Sequence, residues 1–455
     1  MAKGLKVREK AGYATGDFAS CLIWQSITIY FLYYCTTVAG IETAAAVSIL
    51  SVSKLIDGCT DILMGFIVDR THTRFGQVRP YLLTMGLPLA VSTVLLFSVP
   101  AALSVHGKLV WIFVCYNLVT TVFYTALNVP YSSMHCFLTD DSDERSRLSI
   151  LRLVFAFAAQ VLINAVVFSL VRGLGGGELS DQGGWTRAMI VIGAACFLLT
   201  LVTFLNTKER VSGNAGGGSV TVGASIGSIL RNKYLLILLA ATLCAFTAGA
   251  LYSGTAAYYA QFILRNVDAT GLITNAVTAA QVLSLIFIVP ILIRHFRKRT
   301  IYQIGAAALA VCYLASSIRP DNPTALLILN AVKGAAQGAT GSMLYAMCAD
   351  AVDYGEWKTG VSSAGLGVAM LQCLGKFGMA LGTALLGVIL SRGGFDATAA
   401  AQDAGGTAAL VAAYTWLPGL FMVLAFGIML WYRLDREYPD IIRELKRRRG
   451  SGGDE

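Results

Sequence analysis

"TKERVSGNAGGGSVTVGASIGSILRNK", residues 207–233, is the one long polar interruption in an otherwise apolar chain, and its Gly/Ser content is that of a flexible linker. On either side of it the sequence runs in apolar stretches long enough to cross a hydrocarbon core of about 30 Å, which takes about 20 helical residues. Six precede the linker, at 11–38, 43–69, 80–102, 108–138, 147–171 and 186–206. Six follow, at 234–263, 268–294, 300–318, 323–349, 361–391 and 406–433. The expected fold is an all-α membrane protein with twelve transmembrane helices in two six-helix bundles. The N-terminal bundle covers 1–206, a cytoplasmic linker 207–233, the C-terminal bundle 234–434 and a basic cytoplasmic tail 435–455.

Composition agrees with this reading. The 455 residues are 56% hydrophobic and 13% charged, with a mean hydropathy of +0.66, a balance that a water-soluble globule of this size does not sustain. The opening MAKGLKVREK is basic, but no small-residue cleavage site follows its apolar run, so it reads as a retained first span. Ten cysteines without a CxxC pair or a nearby His set read as small apolar fillers rather than disulfides or metal ligands. The run GLGGGELSDQGG (173–184) lacks a Lys-Ser/Thr and a preceding strand, so it is an external loop rather than a phosphate cradle. His72, His106, His135 and His295 are far apart, and no Ser/His/Asp set or HExxH helix appears, which argues against an enzyme. No cofactor motif is evident.

Placing the N-terminus, the even-numbered loops and the C-terminus on one side puts 25 of the 35 Lys and Arg residues there, against 6 on the other. By the positive-inside rule both termini are cytoplasmic. The net charge of +9 is then a topology signal, and the tail RELKRRRG reads as a headgroup-facing anchor on the bilayer rather than a nucleic-acid site. Four basic residues remain inside expected spans: Lys54, Arg152, Lys333 and Lys376. Three acids join them, Asp17 in the first span and Asp57 and Asp61 in the second. An ionised side chain in mid-membrane costs about 2.5–3.5 kcal/mol on the insertion scale, so each requires a reason.

Lys54, Asp57 and Asp61 are spaced i, i+3 and i+7 and share a helix face with Thr60 beside them. Two carboxylates one turn apart either supply hard oxygen ligands to a monovalent cation or share a proton, since like charges so close do not both ionise cheaply. Either behaviour makes a coupling-ion site, for Na+ or H+. The other reading is a structural ion pair of Lys54 with one carboxylate, which leaves the second unexplained. In "FYTALNVPYSS" (123–133), Pro130 loosens the helix, and Thr125 is placed to offer an oxygen to the same cation. Taken alone, a membrane threonine more often bonds its own backbone. Arg152 and Asp17 suit charge-assisted bonds to hydroxyls, with Trp24, Tyr33, Tyr34, Tyr116 and Tyr124 available to pack on a sugar's apolar face.

These residues assemble a known pattern. "GDF" (16–18), "KLIDGCTDILMGFIVDRTHTRFGQVRPY" (54–81), "YTALNVPYSSM" (124–134) and "DAVDYGEWKTG" (350–360) together resemble the glycoside-pentoside-hexuronide:cation symporters of the major facilitator superfamily, a group that includes the melibiose permease. The resemblance runs from about residue 11 to about 390 and implies two bundles around a central cavity with alternating access. "YSSMHCFLTDD" (131–141) and "LYAMCADAVDYGE" (344–356) are an echo between the halves. The resemblance further implies that Asp57 and Asp61, with Thr60 and Thr125, bind the coupling cation. It also implies that Asp17, Tyr124, Asn128, Arg152 and Lys376 line the sugar and its cavity. Two departures bear on substrate: Asn128 stands where the melibiose branch has a second sugar-binding Asp, and Ser132 where it has Trp, which argues against galactoside recognition of that type. Ser362 and Ala364 replace an Arg and a Glu that many members carry, a change without a functional account.

The expected function is cation-coupled symport of a sugar or glycoside in a bacterial cytoplasmic membrane. The alternatives are an uncoupled or lipid-carrying relative of the same fold and a non-transporting sugar sensor. Asp69, Arg70, Arg74 and Arg79 of one cytoplasmic loop, with Asp350, Asp353 and Glu356 of another, are expected either to latch an inner gate or to anchor at the membrane surface. The buried set carries three acids and four bases, and Lys333, sharing a face with Gln337 and Thr340, is the added positive charge. Either an anionic glycoside such as a glucuronide supplies its partner, or Lys333 snorkels or is held neutral.

Overall fold

The computed structural model describes residues 5–69, 71, 73–139, 142–210, 232–359, 364–399 and 401–450. Arg70, His72, Ser362 and nearly all of the linker lie outside the described residues. Among those described, the chain is helical throughout its apolar stretches, and the only β contact is an isolated bridge between Thr73 and Gly76. In the first half the helices are α1 (Val7–Ser26), α2 (Thr43–Asp69), α3 (Arg79–Leu96), α4 (Val105–Asn117), α5 (Thr125–Leu138), α6 (Ser142–Leu174) and α7 (Gln182–Asn206). In the second they are α8 (Lys233–Tyr258), α9 (Ala269–Leu283), α10 (Val289–His295), α11 (Lys298–Ala315), α12 (Pro323–Thr359), α13 (Ala364–Arg392), α14 (Ala404–Val411), α15 (Leu417–Met429) and α16 (Leu434–Gly450). Wider π-helical turns continue several of them, and the turn over Leu118–Tyr124 joins α4 to α5.

Among the described residues, eight helical stretches combine the length and hydropathy needed to cross a membrane. The first, second, ninth and tenth expected spans are helical but not among those eight. Three of these four carry the buried charges Asp17, Lys54, Asp57, Asp61 and Lys333, and the fourth opens on Lys298 and Arg299, so polar side chains dilute their apolar content. Two elements overrun the expected boundaries by the most. Helix α12 carries DAVDYGEWK onward to Thr359, where a loop was expected, and α16 turns most of the basic tail into helix.

The chain forms two compact units: residues 1–214, 253–278 and 383–413 in one, and 215–252, 279–382 and 414–455 in the other. In the first unit α1 packs on α6 and α7, and α3 on α7. Small residues permit this approach: a side chain at Gly16 would collide with the Tyr131 ring, and one at Gly193 would lie 3.2 Å from the Ala90 carbonyl. Tyr34, Phe97, Phe168 and Trp185 fill the core, with Phe97 and Trp185 stacked at 5.8 Å. The 173–184 loop is closed by Asp181, whose carboxylate accepts from the backbone N–H groups of Gly176, Gly183 and Gly184 at 2.9, 2.9 and 3.1 Å and so caps α7. In the second unit α11 lies on α12 and α15, where a side chain at Gly305 would lie 3.1 Å from the Ala336 carbonyl. Tyr234, Tyr354 and Tyr432 pack near the base of α16.

Candidate functional site

Asp57 and Asp61 lie one turn apart on α2, and the Thr125 hydroxyl reaches both. Its oxygen is 3.1 Å from Asp57 Oδ1 and 3.0 Å from Asp61 Oδ1, and 3.2 Å from the Thr120 carbonyl. A hydroxyl has one proton and serves one of these three acceptors at a time. Two carboxylates held around one oxygen, with Asp57 only 3% exposed, form a set in which a proton or a cation can offset their repulsion. The oxygens present are hard ligands that suit a monovalent cation. Thr125 is the residue that follows the π-helical turn, and the extra residue in that turn sets the face it occupies. The irregularity expected at Pro130 is thus found one turn and more upstream, while Pro130 itself lies inside α5.

The other two members of that face are engaged differently. Thr60 donates to the Asp57 carbonyl at 3.0 Å, the backbone bond typical of a membrane threonine. Lys54 Nζ donates to Thr383 Oγ1 of α13 at 2.8 Å, and its charge also acts on Asp57, as the ion-pair reading expected. Sequence reasoning missed Thr383, because nothing in "MALGTALLG" marks it and the contact spans more than three hundred residues.

A second polar set lies in the same unit. Arg152 Nε donates to Asp17 Oδ2 at 2.8 Å, its Nη2 reaches Ser132 Oγ at 3.4 Å, and its guanidinium stands 5.2 Å from the Tyr131 ring centre. Ser132 donates to the Asn128 carbonyl at 2.8 Å, Asn128 Nδ2 donates to the Tyr124 hydroxyl at 3.4 Å, and the Tyr124 ring stacks on Trp24 at 5.0 Å. Asp17, Tyr124, Asn128 and Arg152 therefore form one connected group. The Arg152 side chain is 25% exposed and keeps a face open beside the 8% of Asp17. Such a group can hold hydroxyls by charge-assisted bonds against an aromatic edge.

Lys333 and Lys376 lie in the second unit. Lys333 is 1% exposed, donates to Asn330 Oδ1 at 3.2 Å, and has the ring centres of Tyr313, Tyr414 and Tyr252 at 4.6, 5.3 and 5.7 Å from Nζ. Three aromatic faces bring negative partial charge to the ammonium position. The tyrosines come from separate helices, which hid the cage from a reading of local sequence. Lys376 is half-buried on α13.

Four of the expected gate residues, Arg74, Arg79, Asp350 and Asp353, have partners within their own units. Arg79 donates to the Phe204 carbonyl at 2.9 Å and lies over the Phe204 ring at 4.5 Å. Glu209 takes the backbone N–H groups of Gln77, Val78 and Arg79 at 2.8, 3.0 and 3.0 Å, an anchor the sequence reading overlooked. Arg74 is exposed over Phe75, and Asp69 is the last residue of α2. Asp350 accepts from Lys298 at 2.6 Å and Asp353 from the Tyr438 hydroxyl at 2.7 Å, while Glu356 is half-buried on α12.

A helical chain with several membrane-length apolar stretches, whose buried charges gather into a carboxylate–hydroxyl set and an arginine–carboxylate set, is built as a membrane transporter. The chain belongs to the family of MFS/sugar transport proteins, whose family model matches residues 12–436, in keeping with the resemblance to the glycoside-pentoside-hexuronide:cation symporters. It is similar to the putative glycoside/cation symporter YagG of Escherichia coli K12, at 30% identity over 99% of this chain and 97% of that one. The glucuronide carrier protein homolog of the same organism is 29% identical over 99% and 97% of the two chains. Among solved structures a D-xylose–proton symporter superposes with a TM-score of 0.66 at 14% identity, covering 94% of this chain and 96% of that one, which shows the major facilitator fold. The protein is an integral membrane transporter and not an enzyme.

Proposed function

We propose that the protein couples the entry of Na+ or H+ to the uptake of a sugar or glycoside by alternating access. The observation that carries this reading is the Thr125 hydroxyl placed against Asp57 and Asp61 at once, beside the Asp17–Arg152 set in the same unit. In this reading Asp57, Asp61 and Thr125 hold the cation, and Thr60 joins them when its hydroxyl leaves the Asp57 carbonyl. Asp17, Tyr124, Asn128 and Arg152 hold the sugar, and Lys376 lines the cavity. Twelve helices in two six-helix bundles, over 1–206 and 234–434, enclose that cavity in a bacterial cytoplasmic membrane with both termini cytoplasmic. Asp69, Arg70, Arg74 and Arg79 on one side and Asp350, Asp353 and Glu356 on the other serve the inner gate, exchanging partners as it opens.

An acidic glycoside is the favoured substrate class. The support is that a similar protein bears the name of a glucuronide carrier and that two bases, Arg152 and Lys376, belong to the proposed cavity. Arg152, with its open face, and Lys376 are better placed to meet a carboxylate than Lys333, which is enclosed by its tyrosines.

The test is a binding panel of neutral and acidic sugars on purified protein, each with and without Na+. The expected result is saturable binding of at least one sugar that strengthens with Na+ or with lowered pH. Binding that ignores both ions would support an uncoupled carrier or a sensor instead.

A further inference from the structure

Residues 253–278 lie beyond the polar linker, yet they belong to the same compact unit as residues 1–214. Several contacts tie this segment to the first half of the chain. Tyr258, the last residue of α8, is fully buried; its hydroxyl donates to the Leu32 carbonyl at 3.0 Å and lies 2.6 Å from Thr36 Oγ1. Its ring packs on Tyr33 at 5.9 Å and on Phe395 at 5.2 Å. Arg172, in the last turn of α6, pairs with Asp268 at 2.6 Å. Asn275 Nδ2 of α9 donates to the Val161 carbonyl of α6 at 3.1 Å, and a side chain at Gly271 would strike the Asn164 carbonyl.

Position gives these contacts a common meaning. Thr36 stands just before the loop after the first expected span, Arg172 opens the loop after the fifth, Asp268 follows the loop after the seventh, and Phe395 lies in the loop after the eleventh. All four loops fall opposite the basic termini, on the outer side of the proposed topology. The cytoplasmic ends are held otherwise: Arg79 bonds Phe204 of its own half, and Asp350 and Asp353 bond Lys298 and Tyr438 of theirs.

The backbone and the polar groups of this layer are those of an interface that parts rather than of a permanent core. Thr36 lies inside the π-helical turn Tyr34–Val38, and Tyr258 immediately precedes the turn Tyr259–Ile263, so both partners sit at breaks in the regular helical ladder. Arg265, between Tyr258 and Asp268 in the chain, holds φ at 52°, a left-handed conformation that is costly for a residue with a side chain. Asn164 Nδ2, Gln261 Oε1 and Asn275 Oδ1 are buried without a hydrogen bond. Water entering as the layer parts would hydrate all three, which offsets part of the cost of breaking the contacts above.

We propose that Tyr258, seated on Thr36 and the Leu32 carbonyl, and the Arg172–Asp268 ion pair are the latch of an outer gate that is shut in this structure and parts once in every transport cycle. The assignment rests on the alternating-access reading above and adds to it the residues that hold the outer end closed. Cys35, fully buried next to Thr36 in the chain, reports on the latch. Full-length protein in right-side-out membrane vesicles is treated with a maleimide that does not cross membranes, and alkylation of Cys35 is followed by mass spectrometry of the peptide that carries it. Tyr258→Phe removes both hydroxyl contacts and keeps the ring, and it is expected to raise the alkylation rate about tenfold, the worth of one or two hydrogen bonds. Arg172→Glu should raise it by less, since an exposed pair is worth less, and Arg172→Glu combined with Asp268→Arg should bring it back. In inside-out vesicles none of these variants should gain. An unchanged rate in either single variant, a charge reversal that does not restore it, or an equal gain from both membrane faces, which marks general loosening, overturns the latch. The labelling needs no solute, so a protein whose latch responds but which binds none of the sugars in the panel above overturns the sugar reading and leaves the latch standing.

Discussion

Thr125 has one proton for three acceptors, and in the proposed reading a cation or an extra proton shares the site with it. Asp57→Cys or Asp61→Cys is expected to abolish gradient-driven accumulation while sugar binding survives, weakened by no more than the coupling energy of about 1–3 kcal/mol. Full accumulation by either variant would remove the assignment. Arg152→Gln should act on the sugar side: it leaves the Asp17 carboxylate buried without its partner, and a loss of about 30-fold or more in sugar affinity is expected in a titration. An affinity within a few-fold of wild type would place the sugar elsewhere. The i, i+4 carboxylates were legible in the sequence because a helix repeat puts them on one face. Thr125 was legible through its motif. Thr383 on Lys54 and the tyrosines around Lys333 were not, since both depend on helices far apart in the chain and on residue types that are common in any membrane segment.

At the scale of elements, hydropathy located the helices well and their ends less well. Apolar content stops where the bilayer does, but the backbone ladder goes on wherever the next residues tolerate it, as in α12 through DAVDYGEWK and in α16. The π-helical turn before Thr125 had no signature in composition. The start of α7 shows what a single polar residue does at such an end. Backbone N–H bonds from Gly176 and Gly183, with a further one from Gly184, hold the Asp181 carboxyl below the usual carboxylate range. A depressed folded value means that the contribution is fully present above the unfolded value near ~3.9 and is lost as pH falls through the folded one. Asp181→Ala should therefore lower the thermal midpoint by a few degrees at neutral pH, and the gap from wild type should close below about pH 4. A gap that is constant across that range would mean that the loop is held by packing alone.

At the scale of the whole molecule, coupled symport requires that cation binding on α2, sugar binding at Asp17 and Arg152, and the cytoplasmic ends act as one machine. Arg74 is exposed over Phe75 and engages neither binding set, so Arg74→Gln is expected to slow transport several-fold while equilibrium sugar binding stays near wild type. Loss of binding with an unchanged transport rate would argue against a gate. Lys333, caged by tyrosines, should leave the preference between a glucuronide and its neutral glucoside unchanged when replaced by Gln; a reversed preference would return substrate-charge reading to that lysine. The most direct measurement is uptake of a sugar identified by the binding panel into proteoliposomes, with and without an inward Na+ or proton gradient, for wild type and Asp61→Cys. Accumulation above the external concentration only in wild type, and only with a gradient, is the predicted result; equilibration without accumulation in wild type under every gradient would contradict coupled symport.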